Sequence, residues 1–320
     1  MRVGVTGGTG FIGRHLIDRL LDEENQVVTI SRGRQQIPEA WRSATDIEVV
    51  DAGITDTEGL QSAISTCDAI AHLAGINYER GSQTYRRVHI RGTSNVITAA
   101  EAADVDRLVL TSYLRARPGT RSGYLESKWA AEELVRTADV SGVILKPAAV
   151  FGPGDQLLTH LARVIETVRG VPRVGIRDRR LRPIEVSDLV DIMMEALRTD
   201  RLAGSSFGLM GPETLTQETL IRRIGTALNR RVLIIPTPVF GQYLTAPVLE
   251  RLFDPPLVTR AGIRMLSEGM THPAPPAVCS PVPDDLRPET APKTDYIGTA
   301  LSDVRGLHPA DIRLPVGTRL

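Results

Sequence analysis

The sequence predicts an α/β protein built on a doubly wound parallel sheet, and three observations lead there. Short β-branched runs alternate with helical patterns through the first half of the chain. Most of those runs are apolar throughout instead of alternating with polar residues, as in strands covered on both faces. A stretch of small residues, "VGVTGGTGFIG" at 3–13, joins the first run to the first helical pattern.

Arg2–Thr6 (RVGVT) and 27–30 (VVTI) are short and β-branched, and 47–50 (IEVV) follows a polar loop. The runs at 69–73, 108–111 and 143–145 complete a set of six strands with helical patterns between most of them, which calls for crossover helices on both sides of one sheet. After Phe151 the pattern changes: helical stretches at 157–169, 186–198, 217–227 and 240–252 are separated by Gly/Pro loops and short strands at 206–209 and 231–235. Seven prolines between 273 and 292 point to an irregular tail. The expected organisation is therefore a sheet domain at 1–150, a smaller mixed lobe at 151–270 with some elements returning to the sheet, and a tail at 271–320.

Lys and Arg number 38 against 38 Asp and Glu, so the charge balance gives no reason to expect nucleic acid, an anionic surface or an acidic partner. The two cysteines, Cys67 and Cys279, lie far apart, and the first strand begins almost at Met1 with no leader before it; both features suit a reducing cytoplasm. The longest apolar stretch, 232–240, is interrupted by Pro236, Thr237 and Pro238 and is too short to span a bilayer.

Between strand and helix, Gly7 permits a tight turn, Gly10 lets backbone approach a pyrophosphate, and Gly13 lets the helix sit close to the sheet. The helix N-terminus then presents free N–H groups and its positive dipole end to phosphates. A dinucleotide fits this arrangement. The second strand runs into Ser31-Arg32-Gly33-Arg34, with no carboxylate for a ribose 2′-hydroxyl and two guanidiniums beside a hydroxyl for a 2′-phosphate. NADP(H) is favoured over NAD(H), which the site could also take. The two arginines can also be read as solvated loop charges.

Tyr124 and Lys128, in "SGYLESKWAAEELV", are four residues apart on an amphipathic pattern and share one helix face. With six tyrosines and three lysines in 320 residues, a chance Tyr-x-x-x-Lys is expected only about 0.06 times. A nearby ammonium stabilises phenolate, which makes tyrosine a usable proton donor and acceptor near neutrality.

The segments "TGGTGFIG", "IAHLAG", "VHIRGTSNV", "RLVLTS", "YLESK" and "LKPAAVFGPGD" together resemble the short-chain dehydrogenase/reductase superfamily, in its extended or atypical NAD(P)-dependent epimerase/dehydratase-like branch. "YLESKWAAEE", "FGPGD" and "RPIEVSDLVD" make the chain most similar to the group around the 39-kDa accessory subunit of complex I, over about residues 2–268. The resemblance implies an NAD(P)-binding Rossmann fold with Tyr124 as general acid/base, Lys128 on the nicotinamide ribose, and Ser112 as the hydroxyl that holds the substrate oxygen. It implies cofactor contacts from Gly7, Thr9, Gly10, Phe11, Ile12, Gly13, Ser31, Arg32 and Arg34, from Gly53 and Ile54 beside the adenine, from Leu73, Ala74 and Gly75 under the cofactor, and from Pro147 and Val150 near the nicotinamide. No metal site is expected.

Departures from the family pattern accompany these matches. His89 stands where active members carry asparagine, and as a lone histidine facing the sheet it reads as filling a polar gap. Ser112 ends its strand, whereas the working hydroxyl often lies further on, where this chain has Leu114; a Ser112 satisfied by backbone is an equal reading. Lys146 replaces the usual arginine and reads as a strand-end charge turned to water. Asp56 reads as a helix N-terminal acid and Asp188 as a cap or anchor. Two functions stay open: an NADP(H)-dependent oxidoreductase acting on a small-molecule substrate, or an NADPH-binding structural or sensing protein with little catalysis.

Overall fold

The computed structural model describes residues 1–32, 37–168, 170–253, 256 and 258–307. Thirteen strands are named in chain order among them: β1 (Arg2–Thr6), β2 (Gln26–Ser31), β3 (Ile47–Asp51), β4 (Ala69–His72), β5 (Arg107–Thr111), β6 (Ser141–Pro147), β7 (Val150–Phe151), β8 (Gly170–Val174), β9 (Arg180–Leu181), β10 (Ile184–Glu185), β11 (Ser206–Leu209), β12 (Leu215–Thr216) and β13 (Leu233–Thr237). Seven of them form one parallel sheet in the order β11-β6-β5-β4-β1-β2-β3. The strand order reverses direction between β1 and β4, and the crevice outside the C-terminal ends of strands at such a point is where α/β sheets bind ligands.

Both sheet faces are covered, as the uninterrupted apolar strands require. One face carries α1 (Phe11–Asp22) and, much later in the chain, α7 (Val186–Arg198), which pack together and on the central strands. The other buries Leu60 and Ile64 of α3 (Thr57–Ile64), Val96 and Ala100 of α4 (Gly92–Ala102), and Ala131 and Val135 of α5 (Gly123–Arg136) against Val28, Ile70, Leu108 and Ile144. The short α2 is Glu39–Ser43. Asp56 caps α3, its carboxylate accepting from Gly59 N at 3.0 Å, and Asp188 lies in the first turn of α7.

The described chain divides into two compact units: 1–148, 186–210 and 272–289 in the first, 149–185, 211–271 and 290–307 in the second. In the first, β11 adds a parallel strand beside β6, and Ser280 N donates to Ser206 O at its outer edge. The proline-rich segment has mostly irregular backbone, yet it is anchored: a Cβ on Gly208 would meet Pro273 Cγ at 2.6 Å. In the second unit, α6 (Gln156–Thr167) is capped by the buried Asp155, whose carboxylate accepts from Leu158 N and Gly152 N, so "FGPGD" closes a turn and starts a helix. The same unit holds α8 (Gln217–Ala227), α9 (Val239–Leu252), α10 (Arg260–Glu268) and α11 (Thr294–Ala300). Within the expected tail, α11 packs on α8 and buries Ile297, a short helix the sequence pattern did not reveal.

Candidate functional site

A cleft of about 380 Å³ opens at the C-terminal ends of β1, β2, β3 and β4, lined by Gly7, Thr9, Gly10, Ser31, Arg32, Gly53, Ile54, Leu73, Ala74 and Gly75 among others. Gly7 has φ +73° and crosses the chain after β4 so closely that a Cβ would lie 2.8 Å from Ala74 N. A Cβ on Gly13 would meet Gly7 O at 2.5 Å, which fixes how near α1 sits to β1. Gly10 differs from both: a Cβ there would meet only Gly7 O, at 3.1 Å, because the residue borders the cleft and not packed chain. Phe11 and Ile12 open α1 half-buried, beside its unpaired N–H groups.

At the far side of the cleft the Arg32 side chain runs along Gly53, where a Cβ would lie 3.6 Å from its Cγ and Cδ. Ser31 Oγ is buried with no hydrogen-bond partner, a polar atom at the cleft wall that a ligand oxygen would satisfy. Ile54 packs on Gly92, and its carbonyl accepts from Asn95 Nδ2 at 3.0 Å. These features and the open space over Gly10 fit a dinucleotide. Arg34 lies outside the described residues.

Tyr124 and Lys128 occupy the first two turns of α5 and are both buried. The Tyr124 ring is held by three others: Tyr85 and His89 edge-on with centroids at 5.8 Å, and Tyr113 tilted at 5.9 Å. Burial raises the phenol well above its ordinary pKa. Lys128 Nζ donates to Thr111 O at 3.0 Å and lies close to Gly75; burial lowers its ammonium to about 8, with Glu132 opposing.

His89 sits in a π-helical stretch, Arg86–Arg91, that runs into α4. Its Nε2 accepts from Ile76 N at 3.1 Å, so Nδ1 carries the proton and donates to Ser127 Oγ at 2.8 Å, and Ser127 in turn donates to Tyr124 O. Beneath it, Thr6 Oγ1 donates to His72 Nδ1, His72 Nε2 donates to Thr93 Oγ1, and Thr93 donates to His89 O. Burial first, then Lys128, lowers both histidines, His72 to about 3. Both are therefore neutral groups of fixed tautomer, filling the polar gap read from the sequence.

Two sequence readings require correction. Ser112 does not bond backbone through its hydroxyl: Oγ donates to Glu132 Oε1 at 2.5 Å. Lys146, expected in water, is wholly buried, with Nζ 2.5 and 2.6 Å from the two oxygens of Glu132 and 5.3 Å from the Trp129 ring centroid. A buried carboxylate demands donors, and Ser112, Lys146 and Arg136 supply them. Pro147 ends β6 in the first unit, and Val150 pairs with Ile184 in the second. Sequence reasoning missed the cleft residues Ile30, Ala52, Thr55, Ile76, Ser82, Gln83, Arg87 and Val88; no motif marks them.

The fold and cleft define a dinucleotide-binding α/β protein. A model of the NAD dependent epimerase/dehydratase family matches residues 3–207, and the chain belongs to that family. It is 35% identical over 247 residues to a protein from Caulobacter vibrioides named ceramide reductase, covering 77% of this chain and 76% of that one. It is 26% identical to the mitochondrial NADH-ubiquinone oxidoreductase 40 kDa subunit of Neurospora crassa, covering 71% of this chain and 60% of the subunit's length. Among solved structures, a UDP-glucuronic acid 4-epimerase from Bacillus cereus, in complex with UDP-glucuronic acid and NAD, superposes with a TM-score of 0.65 at 20% identity, covering 74% of this chain and 86% of that one.

Proposed function

We propose that the protein is an NADP(H)-dependent oxidoreductase, reducing a carbonyl with Tyr124 as the proton donor. The observation that carries this reading is the buried Tyr124–Lys128 pair on one face of α5, beside a cleft that fits a dinucleotide. NADPH, when bound, would supply a hydride for the carbonyl carbon. Tyr124 gives its phenolic proton to the carbonyl oxygen, so the product is an alcohol, and the proton is restored from solvent. Lys128 has three N–H donors, of which Thr111 O takes one, and the others hold ribose hydroxyls. An ammonium near the phenol then eases loss of its proton. Arg32 pairs with the 2′-phosphate, which sets the preference for NADP(H).

The likeness to ceramide reductase makes a carbonyl on a lipid the first substrate class to assay. The free thiols of Cys67 and Cys279 suit a reducing compartment such as the cytoplasm. A second reading, an NADPH-bound structural or sensing protein, is favoured by Ser112 being committed to Glu132 and by histidine in the asparagine position. Following NADPH absorbance across a panel of lipid and soluble carbonyl compounds separates the two: turnover supports the reductase, and tight NADPH binding with no turnover across the panel supports the second.

A further inference from the structure

Ten large apolar side chains are exposed among the described residues, and seven of them belong to the second unit: Val168, Ile176, Leu233, Ile235, Phe240, Leu244 and Val248. Phe240, Leu244 and Val248 follow one another at four-residue spacing and so form a single stripe along α9, each more than half exposed. The opposite side of α9 is already used, with Ala246 and Val239 packed against Val174 and Ile263, and Gln242 Nε2 bonded to Arg173 O. A helix apolar on both sides, one of them facing solvent, marks an interaction surface.

The surroundings say what kind. From Val239 to Leu249 the helix carries no charge. The turn after β8 reaches its first residue, since a Cβ on Gly175 would lie 3.6 Å from Val239 Cγ2, and that turn presents Ile176 beside the exposed Arg177 and Arg179. Arg231, just before β13, and Arg260, at the start of α10 and bonded through its N–H to Glu250, are exposed as well. Nearby acids are already engaged: Asp178 with Arg173, Glu166 with Arg230 and Glu250 with the Arg260 backbone. We propose that this face of the second unit docks on an anionic phospholipid surface, with Phe240, Leu244 and Val248 entering the headgroup–acyl boundary and the arginines meeting lipid phosphates. Apolar residues on one helix face with a cationic border are the pattern of interfacial membrane helices. A second copy of this chain is a poorer occupant, because pairing the face with itself brings two arginine-rich borders together without acidic partners.

The inference stands on the second unit alone and is independent of the cofactor reading. The full chain is centrifuged with vesicles of phosphatidylglycerol and phosphatidylcholine in equal parts, and with phosphatidylcholine alone. Binding is expected to the anionic vesicles, to weaken with added salt, and to fall roughly tenfold or more in Phe240→Asp/Leu244→Asp. Arg177→Gln/Arg179→Gln should weaken it by roughly fivefold per arginine while leaving the melting temperature and NADPH affinity at wild-type values. Failure to bind anionic vesicles overturns the proposal. So does a concentration-dependent dimer in analytical ultracentrifugation that Phe240→Asp/Leu244→Asp abolishes, since a second copy would then cover the face. If the aspartate variant melts early, the arginine variant and the salt dependence carry the test.

Discussion

Lys146 Nζ lies 2.5 and 2.6 Å from the two carboxylate oxygens of Glu132, and neither side chain reaches solvent. Lys146, near the end of β6, reads in the sequence as a strand-end charge turned to water; its partner Glu132 comes from α5. Removing one member of such a pair leaves the other as an uncompensated buried charge. Lys146→Met should therefore cost about 3–5 kcal/mol of unfolding free energy. Lys146→Met/Glu132→Leu should cost clearly less than the two single changes added together. Urea melts of all four proteins measure this, and additive losses would show that the pair is not coupled.

Ser112 belongs to the same cluster. Ser112→Ala removes one donor to Glu132 and should lower stability by about 1–3 kcal/mol. If the hydroxyl serves only that carboxylate, turnover by the remaining folded protein should change less than tenfold. A loss as large as that of the Tyr124 variant would return Ser112 to the reaction.

His72 gives the pH dependence of stability. Burial holds its folded pKa near 3 against 6.5 in the open chain, so the unfolded state binds more protons over that interval. Stability is then lost as pH falls from 6.5 towards 3, with a slope of up to about 1.4 kcal/mol per pH unit from this group. His89 acts in the same direction; Asp155, raised by burial from 3.8 to about 6, acts in the opposite one. The measurement is accordingly a difference: melts from pH 4.5 to 7.5 should show a shallower acid slope for His72→Asn than for wild type, and equal slopes would contradict the assignment.

The glycine loop separates folding from binding. NADPH should raise the melting temperature as its concentration rises, by an amount equivalent to about 2.7 kcal/mol at one hundred times Kd. Gly10→Val should fold, because the new Cβ meets only Gly7 O, and should lose that rise because the side chain fills the cleft. Gly13→Val should fail to fold stably, with its Cβ 2.5 Å from Gly7 O. NADPH should bind at least roughly tenfold tighter than NADH, and Arg32→Ala should erase the difference. A retained preference would assign the 2′-phosphate to other residues.

The parallel sheet was readable because apolar runs buried on both faces and the glycine turn are local signals. So was the cleft where it follows from that turn: Gly7 makes the tight turn, Gly13 lets the helix sit close, and Gly10 borders the cleft. Glu132 and Lys146 were not readable. Burial of a charge is decided by what lies across the fold, here Ser112, Trp129 and Arg136, and no spacing in the chain announces it. The same holds for Tyr85 and Tyr113 around Tyr124, which arrive from the start of the π-helical stretch before α4 and from the chain just past β5. α11 was hidden because seven residues beside a proline-rich stretch carry little periodicity, and its partner α8 lies far back in the chain.

The most direct measurement is the rate of NADPH oxidation, with a substrate found in the carbonyl panel, for wild type, Tyr124→Phe and Lys128→Ala. Tyr124→Phe keeps the ring among Tyr85, His89 and Tyr113 and removes only the hydroxyl that carries the proton. Turnover should therefore fall by about 10²- to 10⁴-fold with NADPH affinity unchanged. Lys128→Ala should weaken both, and wild-type affinity should decline as pH rises through about 8, where the Lys128 ammonium loses its proton. Undiminished turnover in Tyr124→Phe would contradict the assignment of this tyrosine as the proton donor.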